Sequence, residues 1–471
     1  MTDSTRCIAI IGAGFCGTVT AVNLLRRATS EPLRIVLIDR DRHGRGAAYA
    51  NHSSPYLLNV PAGRMSALAA EPLDFLRFAQ RTRTDVTAED FLPRTLYGEY
   101  LEAVLLAAER EAAAHITLER VRGTVCSLDI WRPAHTFILG FEGGREMMAT
   151  EVILAFGNPP PAELVGTAAL HESRQLVENP WVEQETLCHD DSVLVVGTGL
   201  TMADIVGVTL QAGHGPARVH AMSRHGLVPP RQTAFRQAHA EFDPEPLLRA
   251  ASCSTRQLFR LVRRMCREAE DSGGDWREAI TFVRTMAPKL WSKLPVRERS
   301  RFLRHARPYW DIHRHRLPPS ARATLDALQD ARRLFVHAGR ILKLEPVGNQ
   351  VRVTWRPRGE DRTSVLLVDR VVNCTGPDYR CKTSRDPLIR ALVANGLIQP
   401  DELGLGLRTG PGGRVVNVTG HTTRGLYYIG PMLRADHWEA TAVQELREHA
   451  QRLAEHLVLP TEHRAVLQGV K

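Results

Sequence analysis

A glycine-rich turn between two apolar runs constrains this chain more than any other feature. Cys7-Ile8-Ala9-Ile10-Ile11 is followed by Gly12-Ala13-Gly14-Phe15-Cys16-Gly17, a helix-like stretch to Arg27, and Arg34-Ile35-Val36-Leu37-Ile38-Asp39. The order strand, turn, helix, strand, acid is that of a dinucleotide-binding unit. Gly12 allows the tight turn, Gly14 lets a pyrophosphate reach the backbone, and Gly17 lets the helix pack close to the strand. The helix N-terminus offers that pyrophosphate unpaired N–H groups and a partial positive charge. Asp39 is placed to bind the hydroxyls of an adenosine ribose.

The pattern returns once. Ser192-Val193-Leu194-Val195-Val196 leads into Gly197-Thr198-Gly199-Leu200-Thr201-Met202, with Met202 in place of the third glycine. Met202 predicts a helix set slightly further from its strand, while Gly197, Gly199 and Thr201 remain the candidate phosphate contacts of a nicotinamide nucleotide. The next strand, Arg218-Val219-His220-Ala221-Met222, ends in Ser223-Arg224-His225. Asp39 follows Gly12 by 27 positions and Arg224 follows Gly197 by the same interval. That count puts Arg224 in the ribose-reading place, where an arginine accommodates a 2′-phosphate and favours NADPH over NADH. A surface arginine after a strand is the plainer alternative.

Alternating runs at Ile116-Thr117-Leu118-Glu119, Thr136-Phe137-Ile138-Leu139 and Glu151-Val152-Ile153-Leu154 predict a strand meander ending in Ala155-Phe156-Gly157-Asn158. Residues 334–372 repeat it and end in Asn373-Cys374-Thr375-Gly376. Residues 72–113 read as helical, and Gly44-Arg45-Gly46-Ala47-Ala48-Tyr49-Ala50 as a flexible loop beside the first site. Residues 231–330, arginine-rich and without strand pattern, read as a helical insertion. Its densest part, Arg304 to Arg316, mixes cations and aromatics that suit a phosphate or carboxylate, though a solvated basic helix face fits equally. A strand at Gly425-Leu426-Tyr427-Tyr428-Ile429 precedes Gly430-Pro431, and Trp438-Glu439-Ala440-Thr441-Ala442-Val443 starts a last helix running to Leu457. The expected fold class is α/β: two Rossmann-like dinucleotide-binding domains, three-layer, with strand meanders and a helical insertion.

At 471 residues there is room for two or more domains. The eight cysteines include no C-x-x-C pair, so a disulfide framework, a zinc ribbon and a dithiol redox centre are unsupported, and no metal site is expected. Cys16 is expected simply to pack. The formal charge of +9 rests mostly on arginine. Without a nucleic-acid module, small anionic ligands account for it, and no nucleic-acid partner is expected. No apolar run approaches a membrane span and the first strand begins within a few residues, so a cytoplasmic protein without a membrane partner is expected.

Taken together, these elements resemble the two-dinucleotide-binding flavoproteins, in which FAD lies in the first unit and NAD(P)H in the second. The resemblance implies an FAD-binding domain made of residues 1–165 and 376–471, with an NAD(P)H-binding domain at 188–375 carrying the insertion. Gly157 and Gly376 look like the two A-T-G-type turns of that superfamily. More narrowly, Gly46-Ala47-Ala48-Tyr49, Leu58-Asn59-Val60-Pro61-Ala62-Gly63-Arg64-Met65-Ser66, Arg307-Pro308-Tyr309-Trp310-Asp311-Ile312-His313-Arg314-His315-Arg316 and Gly430-Pro431 with Trp438-Glu439-Ala440-Thr441-Ala442-Val443 resemble a bacterial family of FAD/NAD(P)-binding proteins. The resemblance implies flavin contacts at Asn59, Val60, Gly430 and Val443. One characterised branch of that family oxidises the amine of L-aspartate to nitrosuccinate. The chain departs from the family at Ala435-Asp436-His437, where a Gly-Thr pair is expected, and at Gln444, where a proline is expected.

The implied activity is an FAD-dependent, NADPH-consuming monooxygenase using molecular oxygen on the amine of a small anionic substrate, with L-aspartate foremost. Arg307, Arg314 and Arg316 are the candidates to hold its carboxylates. Asp436 and His437 are candidates for proton handling or substrate contact, or else are turn residues capping the last helix. A reductase passing electrons to a quinone or partner protein, and a flavin-binding regulatory or scaffold protein, use the same nucleotide sites. Oligomeric state is not legible.

Overall fold

The computed structural model describes residues 6–27, 31–41, 43–50, 56–131, 136–171, 173–182, 192–211, 215–233 and 241–458. Strand β1 (Arg6–Ile11) passes through the glycine turn into α1 (Phe15–Leu25) and returns as β2 (Leu33–Asp39), parallel to β1 with Ile11 opposite Ile38. A short helix α2 (Gly46–Tyr49) follows, then α3 (Asp74–Gln80) and α4 (Arg94–Glu111). The stretch read as helical from 72 to 113 is thus two helices. The break falls where Thr82, Thr84, Thr87 and Pro93 disfavour continuation.

β3 (Ile116–Arg122) pairs parallel with β2. β4 (Val125–Trp131), β5 (Thr136–Phe141) and β6 (Glu146–Ala149) form a separate antiparallel sheet, and β7 (Glu151–Leu154) pairs parallel with β1. The expected meander is therefore only β4 to β6. The runs at Ile116 and Glu151 belong to the central sheet, and all four residues of β7 are buried, as in a strand covered on both faces.

The second stretch holds β8 (Leu176–Val177), β9 (Ser192–Val196), α5 (Leu200–Gln211) and β10 (Arg218–Ser223). Then come α6 (Glu245–Cys253), α7 (Thr255–Asp271), α8 (Trp276–Lys293), α9 (Val296–Arg301), α10 (Arg307–Arg314) and α11 (Pro319–Asp330). A π-helical turn at Phe302–Ala306 joins α9 to α10. Pro308 explains it: proline has no N–H to donate and its ring crowds the carbonyl of the preceding turn, so the ladder widens there. Arg231 and Leu317 bridge each other, and Leu317 N–H donates to Pro230 O at 2.9 Å, so the chain leaves and re-enters at one point. Helix α11 lies beyond that bridge. It buries Leu325 and Leu328 with Met202 and Val206, which makes it a helix of the nucleotide unit rather than the end of the insertion.

β11 (Leu334–Val347), β12 (Gln350–Pro357), β13 (Ser364–Val368) and β14 (Arg370–Asn373) complete a seven-stranded sheet in the order β13-β12-β11-β10-β9-β14-β8. The last stretch gives α12 (Pro387–Ala394), β15 (Arg414–Val416), β16 (Thr422–Tyr428) and α13 (Val443–Val458). β16 pairs parallel with β7, giving the six-stranded order β15-β16-β7-β1-β2-β3. Two compact units result: Met1–His52, Pro61–Pro159 and Tyr379–Lys471 form one, and Ser53–Val60 with Pro160–Asp378 the other.

Candidate functional site

In the first unit the three glycines have different tasks. Gly12 has φ +107°, and a methyl group there would lie 2.7 Å from the Ala155 carbonyl oxygen. One on Gly17 would lie 1.8 Å from the Gly12 carbonyl oxygen. Both are demanded by the protein's own packing. Gly14 is different: a methyl group would meet only the Gly46 Cα, at an ordinary 3.5 Å. It also stands at the N-cap of α1 without a capping side chain, and no acid occupies the first turn. The open glycine and uncapped N–H groups fit a pyrophosphate.

Asp39 ends β2, and its Oδ2 accepts from Ala13 N–H at 2.6 Å while Oδ1 accepts from Asp41 N–H at 3.0 Å. Each oxygen keeps a second lone pair for a ribose hydroxyl. The loop expected to be flexible is held in place. Gly44 N–H donates to Ala13 O at 2.9 Å, and buried Arg45 pairs with Glu102 of α4 at 2.9 Å. Cys16 is buried and its thiol is pushed up to about 12 by burial, so it packs and does not react.

Around the turn after β7, a methyl group on Gly157 would meet nothing within 4 Å, and Asn158 Oδ1 accepts from Tyr379 Oη at 2.7 Å. Gly430 has φ +151°, and a side chain there would strike Tyr428 Oη at 2.6 Å. That hydroxyl donates to Phe156 O at 3.2 Å and accepts from Met432 N–H at 3.0 Å, locking the ends of β7 and β16 together. Arg434 lies 4.2 Å over the Trp438 ring, a cation–π contact that sequence reasoning missed. Val443 opens α13, half-buried, with Glu445 in its first turn. Asn59 and Val60 fall in the segment that belongs to the second unit, whose Tyr56 packs on Trp181 at 5.5 Å.

Asp436 has both oxygens engaged: Oδ2 accepts from Thr409 N–H at 2.9 Å and Oδ1 lies 3.0 Å from Arg408 Nε. His437 is held neutral, its pKa lowered first by burial, and its ring lies 4.9 Å from that of His449. His449 is lowered further, to about 3, again chiefly by burial.

The second unit repeats the first. Gly197 has φ +114°, and a methyl group would lie 2.3 Å from the Cys374 carbonyl oxygen, just as Gly12 abuts Ala155. Gly199 and Gly376 would meet nothing within 4 Å. Thr201 is half-buried on α5, and Met202 fills the core beside Val193 and Ala221. The strand pairing corrects the position of Arg224. Val196 lies opposite Met222, an interval of 26 rather than 27, so Ser223 takes Asp39's place and Arg224 comes one residue later, exposed. Thr198 Oγ1 lies 2.9 Å from Ser223 Oγ and donates to Leu227 O at 2.6 Å.

The arginines of the insertion are partly committed. Arg307 Nε lies 3.2 Å from Asp311 Oδ2, one turn along α10, and Arg314 donates to His315. Arg316 follows α10, half-buried. Tyr309 of the same helix has its ring 5.6 Å from that of His225, which places α10 beside the turn after β10. Among the described residues no helix is long and apolar enough to cross a membrane, and no group of three or more His, Cys, Asp or Glu is placed to hold a metal ion.

Residues 9–159 match the family model described as FAD-NAD(P)-binding. No curated protein matches the chain by sequence. Among solved structures it is similar to an ornithine N-hydroxylase of Kutzneria sp. 744 with reduced FAD, NADP⁺ and L-ornithine, at 16% identity and TM-score 0.58, over 98% of this chain and 100% of that one. The L-lysine 6-monooxygenase of Pseudomonas syringae gives 17% and 0.60, over 96% and 99%. The FAD-bound cadaverine monooxygenase of Erwinia amylovora gives 13% and 0.61, over 96% and 94%. At such identities the likeness is one of fold: two Rossmann-like dinucleotide-binding units in an α/β chain, as in the flavoproteins.

Proposed function

We propose, for a chain with the two-dinucleotide-binding flavoprotein fold, that it is an FAD-dependent, NADPH-consuming enzyme that oxygenates the amine of a small anionic substrate. One observation carries the reading. Each unit has a first glycine that its own backbone requires and a second, Gly14 or Gly199, that the protein leaves open. Two such cradles on one chain fit two dinucleotides. The acid at Asp39 suits an unphosphorylated adenosine ribose, and Ser223 with Arg224 suits a 2′-phosphorylated one. The similar structures are of enzymes that act on ornithine, lysine and cadaverine, which supports an amine as substrate.

FAD would be held by Gly14, Asp39, Gly157, Gly430 and the Val443 end of α13, and NADPH by Gly199, Thr201, Arg224 and Gly376. Bound FAD supplies hydride acceptance from NADPH and the activation of molecular oxygen. The chain's own residues bind, orient and move protons. The N-termini of α1 and α5 stabilise pyrophosphate charge. His437 is neutral and half-buried and is the candidate for moving a proton, while Asp436 positions the 408–409 strap. Arg314 and Arg316 are the carboxylate ligands, with Arg307 oriented by Asp311. L-aspartate, with two carboxylates, is the first compound to test.

Enzyme, NADPH and aspartate are incubated under labelled oxygen, and the N-oxidised product is read by mass spectrometry. Label in the product is the expected result. Hydrogen peroxide alone, across aspartate and a panel containing ornithine, lysine and cadaverine, would establish the reductase reading instead.

A further inference from the structure

The turn after β10 is hydrogen-bonded, closely packed and basic. Gly226 N–H donates to Ser223 Oγ at 3.0 Å, and Gly226 packs on Ala338 of β11, where a methyl group would lie 3.0 Å from the Ala338 Cβ. Arg358, just past the end of β12, is anchored to the same residue: its backbone N–H donates to Ala338 O at 2.9 Å. The side chain of Arg358 donates through Nη1 to His225 Nδ1. An arginine can only donate, so the His225 ring is neutral with its proton on Nε2, a free donor direction. Burial first, then Arg358 and Arg224, disfavours a charge on that ring. Neither Arg224 nor Arg358 has a carboxylate partner among the described residues, and both are exposed.

We infer that Arg358 is a second reader of the nucleotide's 2′-phosphate, acting with Arg224 and His225 as a three-sided clamp. This rests on the reading of the second unit as an NADPH site. Two unneutralised guanidiniums flanking one imidazole repel each other, and a phosphate dianion between them converts that repulsion into charge-assisted hydrogen bonds. The phosphate oxygens would accept from Arg224, from Arg358 and from His225 Nε2–H. The count from the glycine turn does not find Arg358, because it comes from a different strand 134 residues after Arg224. Its place is set by the shared anchor at Ala338.

The test is calorimetric titration of the flavin-loaded protein with adenosine 2′,5′-bisphosphate and with 5′-AMP. Arg358→Ala should weaken the bisphosphate about ten- to a hundredfold, the range for a charged hydrogen bond, and leave 5′-AMP unchanged. Arg358→Lys should recover part of the loss. Arg358→Gln, which keeps a donor toward His225, serves if the alanine variant loses flavin or thermal stability. Unchanged bisphosphate affinity in Arg358→Ala, with a loss in Arg224→Ala, would overturn the inference and leave the NADPH reading standing. Wild-type protein that binds the bisphosphate no more tightly than 5′-AMP would overturn both.

Discussion

Ser223 occupies in the second unit the position that Asp39 occupies in the first. In each unit the first glycine donates at 2.8 Å to the carbonyl of the residue before it, Ile38 or Met222, and the side chain that follows closes onto the middle of the glycine turn. Asp39 accepts from Ala13 N–H, whereas Ser223 meets the Thr198 hydroxyl. A neutral hydroxyl has replaced a carboxylate at the point where a ribose 2′ substituent would arrive. An acid would repel a 2′-phosphate, and serine does not.

Ser223→Asp should therefore reverse nucleotide preference. Arg224→Ala should weaken NADPH by about ten- to a hundredfold and leave NADH nearly unchanged. Stopped-flow rates of flavin reduction against each nucleotide measure both. Equal losses for the two nucleotides would show that the fold, not the phosphate, had been disturbed.

Gly14→Ala should yield folded protein with its flavin content down by about tenfold or more, since the added methyl group makes ordinary contact within the protein and intrudes only on a ligand. Gly17→Ala should instead lose about 2–3 kcal/mol or more of stability through overpacking against Gly12. Visible absorbance and thermal unfolding separate the two.

Asp436→Ala leaves the Thr409 N–H and the Arg408 guanidinium without their acceptor, and should cost about 1–3 kcal/mol of stability. His437→Gln should leave unfolding nearly unchanged and lower product formation. The reverse pattern would assign the chemistry to Asp436.

Stability should decline on mild acidification. His220, lowered to about 4, and His449, lowered to about 3, are neutral in the folded chain, with burial the first cause for each. In the unfolded chain they bind protons near pH 6.5, so their contribution is complete above that value and is lost as pH falls toward the folded values. The slope is about 1.4 kcal/mol per pH unit for one full proton. Unfolding midpoints between pH 7.5 and 4.5 should show it, and His449→Phe should flatten the curve. A flat wild-type profile would contradict these assignments.

The glycine turns were legible because they combine short range with a strict chemical demand: Gly12 and Gly197 must be glycine whatever binds. Ile116 and Glu151 were misread because alternation identifies a strand without identifying its neighbours, and pairing with β2 and β1 is a long-range fact. Counting failed by one at Arg224 because the interval between paired residues of the two strands is 26 in the second unit and 27 in the first, which only the strand pairing reveals. For Asp436 the sequence left proton handling, substrate contact and a turn role open, because its partners Arg408 and Thr409 lie 27 or more residues away. The Arg434–Trp438 contact has the i, i+4 spacing of a helix face, but sits in a turn where no periodic pattern announced it.

The bridge between Arg231 and Leu317 has an evolutionary consequence. A segment whose entrance and exit coincide is a cassette. Away from Tyr309, its helices can be lengthened, exchanged or redecorated with new arginines while β10 and β11 keep their alignment, because entrance and exit are pinned to each other. On the proposed reading of its arginines, substrate preference can then be retuned there without touching the glycine turns.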